Sequence, residues 1–453
     1  MKLSLLLFLV LFLSGCTSAP KKRTDKLSIL QGITSVKEVE FSILAPVNKV
    51  LTFELRSAEG EIIEPDEVKT VTRPFSEWAF HKVVFVRDQL KEFNLYVYEK
   101  KIIIDQRLIG KGQLNQSRLN LAVLSCTNDG FEQNFKIWNV LASKNPEYIL
   151  MLGDNVYANR EPNGSSLSST PENIWRRYTD VRLTLPFFFQ EKLIPVHAVW
   201  DDNDYGPKDA NESFEYKDSS KDIFEAFYAQ SLSEEIYNKG FGVGGLLSLG
   251  DFNLYFLDAR YFRSASKDGK HLGTEQYQWL MKSLKDESQP SFIIKGDQFF
   301  GGYHEYDSYE GKHPQDFSLF VSDLRALGTP FIFLSGDRHM SEIMQFPRSL
   351  FGLPSFEITS SPMHGRVFED SGVKNPWRVV HIQNKVNFTL INNLAQDNHW
   401  FMDVENIGED GEVYYRRELA VFIKDLQNNL NEVRKRRHGK RRYRKSRGKS
   451  RRK

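Results

Sequence analysis

Two patterns of apolar and polar positions divide the chain. Between residues 31 and 115 the alternation has a short period: KVLTFEL (49–55), HKVVFV (81–86), FNLYVYE (93–99) and KIIIDQRLI (101–109) are rich in β-branched and aromatic residues and carry no long helical repeat. They predict a small antiparallel β-sandwich domain over 31–115. From Leu119 onward, apolar strand-like runs alternate with segments of helical period, NFKIWNVLASKN (134–145), TEQYQWLMKSLKD (274–286) and DFSLFVSDLRALG (316–328). That alternation predicts an α/β layered domain over 116–430, and a chain of 453 residues suits two folded units better than one core.

The apolar runs of the second region end alike. LNLAVLSC closes on Cys126, EYILMLGDNVY on Asp154 and Tyr157, LIPVHAVWDDND on Asp201, Asp202 and Asp204, FNLYFLDAR on Asp258 and Arg260, SFIIKGDQ on Asp297, and PFIFLSGDRH on Asp337 and His339. One such end is explained by a carboxylate that caps the next element. Six of them gather polar groups at one edge, because in layered α/β folds the strand ends and the loops after them converge. Carboxylates brought within a few ångströms repel and separate their pKa values unless a cation sits among them. The residues therefore predict a multinuclear metal site. Carboxylates suit hard cations, imidazole suits borderline ones, and a phenolate or thiolate favours a transition metal, so a set with Asp, His, Tyr and Cys points to two different metals. Two cations ~4 Å apart activate water and clamp a transferring phosphoryl group.

The termini add a location. The chain opens MKLSLLLFLVLFLSGC, with an apolar run from Leu3 to Leu13 that is short for a bilayer span and suits a signal-peptide core. LSGC at 13–16 resembles a bacterial lipobox, which implies cleavage before Cys16 and lipidation of its thiol. Residues 1–16 are read as a lipoprotein signal peptide and 17–30 as a basic linker; Thr17 after the cysteine favours the outer membrane. Once Cys16 is lipidated, Cys126 is left without a disulfide partner, as a buried structural thiol, a reactive thiol or a metal ligand. From Arg434 to Lys453, 14 of 20 residues are Lys or Arg and none is acidic; without them the formal charge of +2 becomes −12. Such a segment buries too little apolar surface to fold, and residues 431–453 are read as a disordered polybasic tail. Its charge suits an anionic polymer, such as nucleic acid or lipopolysaccharide, or a lipid headgroup surface.

The ordered series SC (125–126), GDNVY (153–157), WDDND (200–204), LDARYFR (257–263), SGDRH (335–339) and ITSSPMHG (358–365) resembles the alkaline phosphatase D (PhoD-like) metallophosphatases, over roughly residues 30 to 410. The resemblance implies a calcineurin-like αββα sandwich, preceded by the small β-sandwich, with iron(III) and calcium as metals and other divalent ions as alternatives. It makes Cys126, Asp154, Tyr157 and Asp337 the candidates for iron, with Asp154 bridging to calcium, and Asp202 and His339 further ligands. The catalytic candidates it implies are Asp202, Asn203, Arg260 and His339, with Arg260 contacting the phosphate. Two positions depart from the family. Asn203 stands where His is common and carries no titratable proton, and Lys208 stands where Asn is frequent, either steering an anionic substrate or displacing a cation.

The function expected on this basis is that of a monomeric, membrane-anchored, periplasm-facing phosphoesterase that hydrolyses phosphomonoesters or phosphodiesters, phospholipids included, for phosphate acquisition. The alternative is a scaffold lipoprotein with a catalytically reduced core and an active basic tail. Asp297 reads as a loop-fixing or a site residue. His304, His313, His364 and His399 read as surface or supporting groups, with His364 nearest the metals, while Phe187–Phe189 and Trp175 read as core.

Overall fold

The computed structural model describes residues 21–87, 92–111, 116–230, 236–285, 287–369 and 372–422. Cys16 and the signal peptide, the first part of the linker and the polybasic tail lie outside the described residues; no described helix is long and apolar enough to cross a membrane.

The first strands are β1 (Ser28–Thr34), β2 (Glu38–Pro46), β3 (Leu51–Ser57), β4 (Ile62–Ile63), β5 (Glu67–Val71), β6 (Trp78–Val86), β7 (Phe93–Glu99) and β8 (Ile102–Leu108). They form two four-stranded antiparallel sheets, ordered β1-β2-β6-β5 and β4-β3-β7-β8. Alternate residues supply the core between them: Phe93, Leu95 and Val97 of β7 meet Phe41 and Ile43 of β2 and Val83 and Phe85 of β6. This is the sandwich that the short-period alternation predicts.

Next come β9 (Arg118–Leu124), β10 (Tyr148–Leu152), β11 (Val196–Val199), β12 (Tyr237–Lys239), β13 (Gly245–Leu249), β14 (Phe252–Phe256), β15 (Ser291–Ile294), β16 (Phe331–Ser335), β17 (Met340–Phe346), β18 (Ser355–Thr359), β19 (Arg378–Gln383), β20 (Asn387–Gln396), β21 (His399–Gly408) and β22 (Val413–Phe422). One sheet has six strands in the order β11-β10-β9-β20-β21-β22, and the other has eight in the order β12-β13-β14-β15-β16-β18-β17-β19. The strands that feed the predicted site, β9 to β11 and β14 to β16, run parallel within their sheets.

Side-chain alternation explains the layering. Leu121, Val123, Leu150 and Leu152 of the first sheet and Phe256, Ile294 and Leu334 of the second form one core between the sheets. The opposite faces turn outward to helices: Ala122, Leu124, Ile149 and Met151 pack with Trp138, Trp175, Phe187 and Phe224, while Tyr255, Ile293 and Phe333 pack with Leu280 and Phe320. Strands covered on both faces read as continuous apolar runs, which is how the sequence presents them. The result is the expected αββα sandwich, with Phe187–Phe189 and Trp175 in its core.

A buried guanidinium fastens the two units together. Arg182, on the helix Pro171–Thr184, donates to the carbonyls of Ser28 (2.7 Å), Ser42 (2.6 Å) and Phe227 (3.0 Å) and lies against the rings of Phe80, Phe188 and Phe227. Burial lowers its pKa to about 9, so it stays charged at neutral pH.

Candidate metal centre

The ends of β9, β10 and β16 are built from unusual backbone. Cys126, Asp154, Asp337 and His339 have φ of 58°, 52°, 63° and 49°, the left-handed region that costs a non-glycine residue about 1–2 kcal/mol. Main-chain bonds across the strand ends hold them there: Cys126 N–H donates to Gly153 O (3.1 Å) and Thr127 N–H to Asp154 O (2.8 Å). The glycine of each Gly-Asp doublet makes room for its neighbour. Gly153 has φ of +80°, and a Cβ there would lie 2.6 Å from Cβ of Asp201; a Cβ on Gly296 would lie 2.7 Å from the same atom and from Trp200 O. Both sheets thus close around Asp201.

Two groups of donor atoms result. Cys126, Asp154 and His339 offer atoms within 4.8 Å of one another, and so do Asp154, Asp201 and Asp202. Asp154 belongs to both. Tyr157 joins the first group, its hydroxyl 3.3 Å from Nε2 of His339. The Cys126 sulfur accepts from Ser361 Oγ (3.1 Å) and Ser125 Oγ (3.3 Å), and Ser361 Oγ also accepts from the His339 N–H at 2.9 Å. The Asn203 amide donates to Asp154 Oδ2 (2.7 Å) and Asp202 Oδ1 (2.9 Å), tying the bridging carboxylate to its neighbour.

Electrostatics make this arrangement one that cations would relieve. Burial, with the charges of Asp202, Asp204 and Asp337, pushes Asp154 well above the carboxylate range. Burial likewise raises Asp201 despite Arg260, takes Asp337 up to about 7 with help from Asp202, and raises the Cys126 thiol and the Tyr157 phenol. Burial lowers His339 to about 4, so its imidazole is neutral and presents a lone pair at pH 7. Among the described residues no Lys or Arg pairs with Asp154, Asp202 or Asp337. Asp201 Oδ2 is buried without a hydrogen-bond partner. An orphaned oxygen and a cluster of unpaired acids fit bound cations: the thiol, phenol and imidazole suit a transition metal, and the carboxylates suit a hard ion.

The structure brings Cys126, Asp154, Tyr157, Asp202, Asn203, Asp337 and His339 together. His339 offers an atom within reach of Cys126 and Asp154, and Asp337, partly exposed as His339 is, lies close enough for its charge to act on Cys126, Tyr157 and Asp154. Arg260 is not where a phosphate contact requires it: its guanidinium is fully buried, with Nε 2.6 Å from Asp201 Oδ1 and a terminal nitrogen 2.8 Å from Asp307 Oδ2. It is held beneath the pocket by two carboxylates and positions Asp201. Lys208 is 69% exposed and 4.0 Å from Asp209, so it does not sit among the ligand carboxylates.

Other strand-end acids are structural. Asp204 accepts from the N–H groups of Val156 and Asp201, and Asp258 accepts from Trp200 and three main-chain N–H groups. Asp297 is buried against Lys295 (2.6 Å) and His271 (3.2 Å). His313 and His364 are buried rather than on the surface, His364 donating from Nδ1 to Asn128 O at 3.1 Å beside the Cys126 loop. Sequence reasoning named Asp201 among the strand-end acids but gave it no ligand role, and it quoted Ser125 and Ser361 only within the SC and ITSSPMHG motifs, with no role for either hydroxyl.

A model of the PhoD-like phosphatase family matches residues 121–409. The solved structure of PhoD superposes with a TM-score of 0.66 at 13% identity, covering 88% of this chain and 90% of that one, a likeness of fold. The crystal structure of TT1561 of Thermus thermophilus gives a TM-score of 0.31 at 9% identity, over 64% of this chain and 99% of that one, too low to bear on the fold. No curated protein matches the sequence. The family span begins within β9 and ends just past β21, so it takes in every strand end that feeds the metal centre, and the chain belongs to the PhoD-like phosphatase family.

Proposed function

We propose that the protein is a membrane-anchored phosphoesterase that hydrolyses phosphomonoesters or phosphodiesters at the periplasmic face of a bacterial envelope and serves phosphate acquisition. The observation that carries the catalytic part is the shared carboxylate: Asp154 belongs to both donor groups, as a bridge between two cations would. In this reading Cys126, Asp154, Tyr157 and His339 hold iron(III), and Asp154, Asp201 and Asp202, with Asp337 at the edge, hold calcium. Bound there, such cations supply charge neutralisation for phosphoryl oxygens and acidify water.

The chain's own residues do the rest. Asn203 keeps Asp154 and Asp202 apart by donating to both. It has no proton to give, so the leaving alkoxide takes its proton from solvent, which favours esters of acidic alcohols. Arg338 follows Asp337 at the partly open edge and takes over the phosphate contact first expected of Arg260; stacked on Tyr306, a guanidinium keeps its N–H edge free for phosphate oxygens. Lys208, exposed nearby, draws anions toward the pocket. The lipobox at Cys16 supports the anchor, and the polybasic tail supports a second contact with anionic polymer or lipid.

The test is hydrolysis of p-nitrophenyl phosphate and bis-p-nitrophenyl phosphate by protein lacking residues 1–16, with metal analysis of the same sample and Asp337→Ala as control. Turnover that the substitution abolishes supports the enzyme and reports the ester preference. A folded, metal-replete sample without turnover rejects it in favour of the scaffold. Cys16→Ser should release the protein from the membrane fraction, and its retention there would count against the lipid anchor.

A further inference from the structure

Two partly exposed aromatic rings lie against consecutive residues of one strand end of the metal centre, Tyr306 on Arg338 and Phe368 on His339. Phe368 and Tyr306 are 45% and 55% exposed. The Phe368 ring lies 5.4 Å from the imidazole of His339, centre to centre, and the Arg366 guanidinium stacks 5.0 Å from its centroid. Tyr306 carries the Arg338 guanidinium at 4.5 Å. Arg338 and His339 are consecutive, so two separate loops each bring a ring to the same partly open edge of the pocket. The placement of Phe368 is anchored: His339 Nδ1 bonds the carbonyl of Arg366, two residues before the ring.

A ring about half exposed and covered on one side by a guanidinium has surface left for one more flat partner. The two arginines keep their N–H edges for anionic oxygens while their faces are occupied. Flat aromatic surface and free guanidinium edges, side by side next to a phosphoryl site, match the two halves of one molecule. We infer that Phe368 and Tyr306 stack on a planar aromatic group of the substituent that stays on phosphorus, which makes the preferred substrates phosphodiesters whose retained substituent is a nucleoside or an aryl group rather than an alkyl group or glycerol. This rests on the phosphoesterase reading above. An alkyl or polyol substituent offers no π-face and gains nothing from either ring, whereas base-on-ring stacking changes affinity by about tenfold or more per ring.

The experiment uses the full-length protein and its Phe368→Leu and Tyr306→Leu variants, which keep apolar bulk and lose the ring. The p-nitrophenyl ester of thymidine 5′-monophosphate, phenyl p-nitrophenyl phosphate and methyl p-nitrophenyl phosphate share one leaving group and differ in the retained substituent. Each substitution is expected to raise KM about tenfold more for the thymidine or phenyl ester than for the methyl ester. A loss confined to the thymidine ester identifies a nucleobase subsite, and a loss on both aromatic esters identifies a general aryl one. Equal losses on all three, or none, overturn the inference. Should wild type hydrolyse no ester, the phosphoesterase reading fails by itself and binding decides the rim: thymidine 5′-monophosphate held about tenfold tighter than methyl phosphate, with the preference lost in both variants, supports it, and no preference overturns it.

Discussion

Filling the metal centre of a chelated protein should expel protons, because its acids hold protons where cations would otherwise balance their charge. Burial sets Asp337 at about 7, so at pH 6 it is about 0.9 protonated, whereas an ordinary aspartate is ionised almost fully. Asp154 and Asp201 are raised in the same direction. A divalent cation entering the carboxylate group should release at least the ~0.9 proton held by Asp337 at pH 6, and its apparent Kd should fall by about tenfold or more between pH 5 and pH 6. Calorimetry in buffers of different ionisation enthalpy counts the protons, and Asp337→Asn should remove about 0.9 of them. The stability consequence has a defined sign. Asp337 is raised on folding, so its contribution to the metal-free fold is complete below about pH 4 and disappears as pH rises through about 7. His197, His271, His304 and His364, lowered to about 3 or 4 by burial, act oppositely, stabilising above about 6.5 and losing that as pH falls. They are the same with and without metal, so the loaded-minus-chelated difference in Tm isolates the site acids and should widen from pH 5 to pH 7. Release below half a proton, or release unchanged in Asp337→Asn, would refute the reasoning.

Cys126→Ser replaces the soft donor of the first group and, on the proposed assignment, should lower transition-metal occupancy several-fold while hard-cation occupancy stays near the wild-type level, as read by elemental analysis. Gly296→Ala places a methyl 2.7 Å from Cβ of Asp201 and should cost about 1–3 kcal/mol in chemical denaturation, with weaker calcium binding. Arg182→Ala strips donors from three buried carbonyls at the junction of the two units and should cost about 3 kcal/mol or more; limited proteolysis should then cut faster between β8 and β9.

The sequence carried the strand ends because each is a continuous apolar run followed at once by Gly-Asp or paired acids, a local signal that needs no tertiary knowledge. It placed the helices for the same reason, since Thr274–Leu284 and Pro314–Leu327 keep their apolar period over three turns or more. What it could not give was depth. Arg260 and Asp337 both follow strands, yet the guanidinium is fully buried against two carboxylates while the residue Asp337 keeps some exposure. That difference comes from which sheet and which layer each strand occupies. β20 to β22 escaped notice altogether: β20 pairs antiparallel with β9 across more than 260 residues of chain, and nothing local marks that pairing.

Because Cys126, Asp154, Asp337 and His339 owe their directions to backbone torsion, their donor atoms are in place before any ion arrives. On the proposed assignment, loading would be a simple encounter, limited by how fast the ion sheds its water rather than by loops rearranging to meet it. The same rigidity removes one means of discrimination: an intruding ion of similar size finds the identical arrangement and fits. Metal choice in such a centre rests on the chemistry of sulfur, nitrogen and oxygen and on which ions the compartment supplies, and a mismetallated protein would keep its shape while losing its rate.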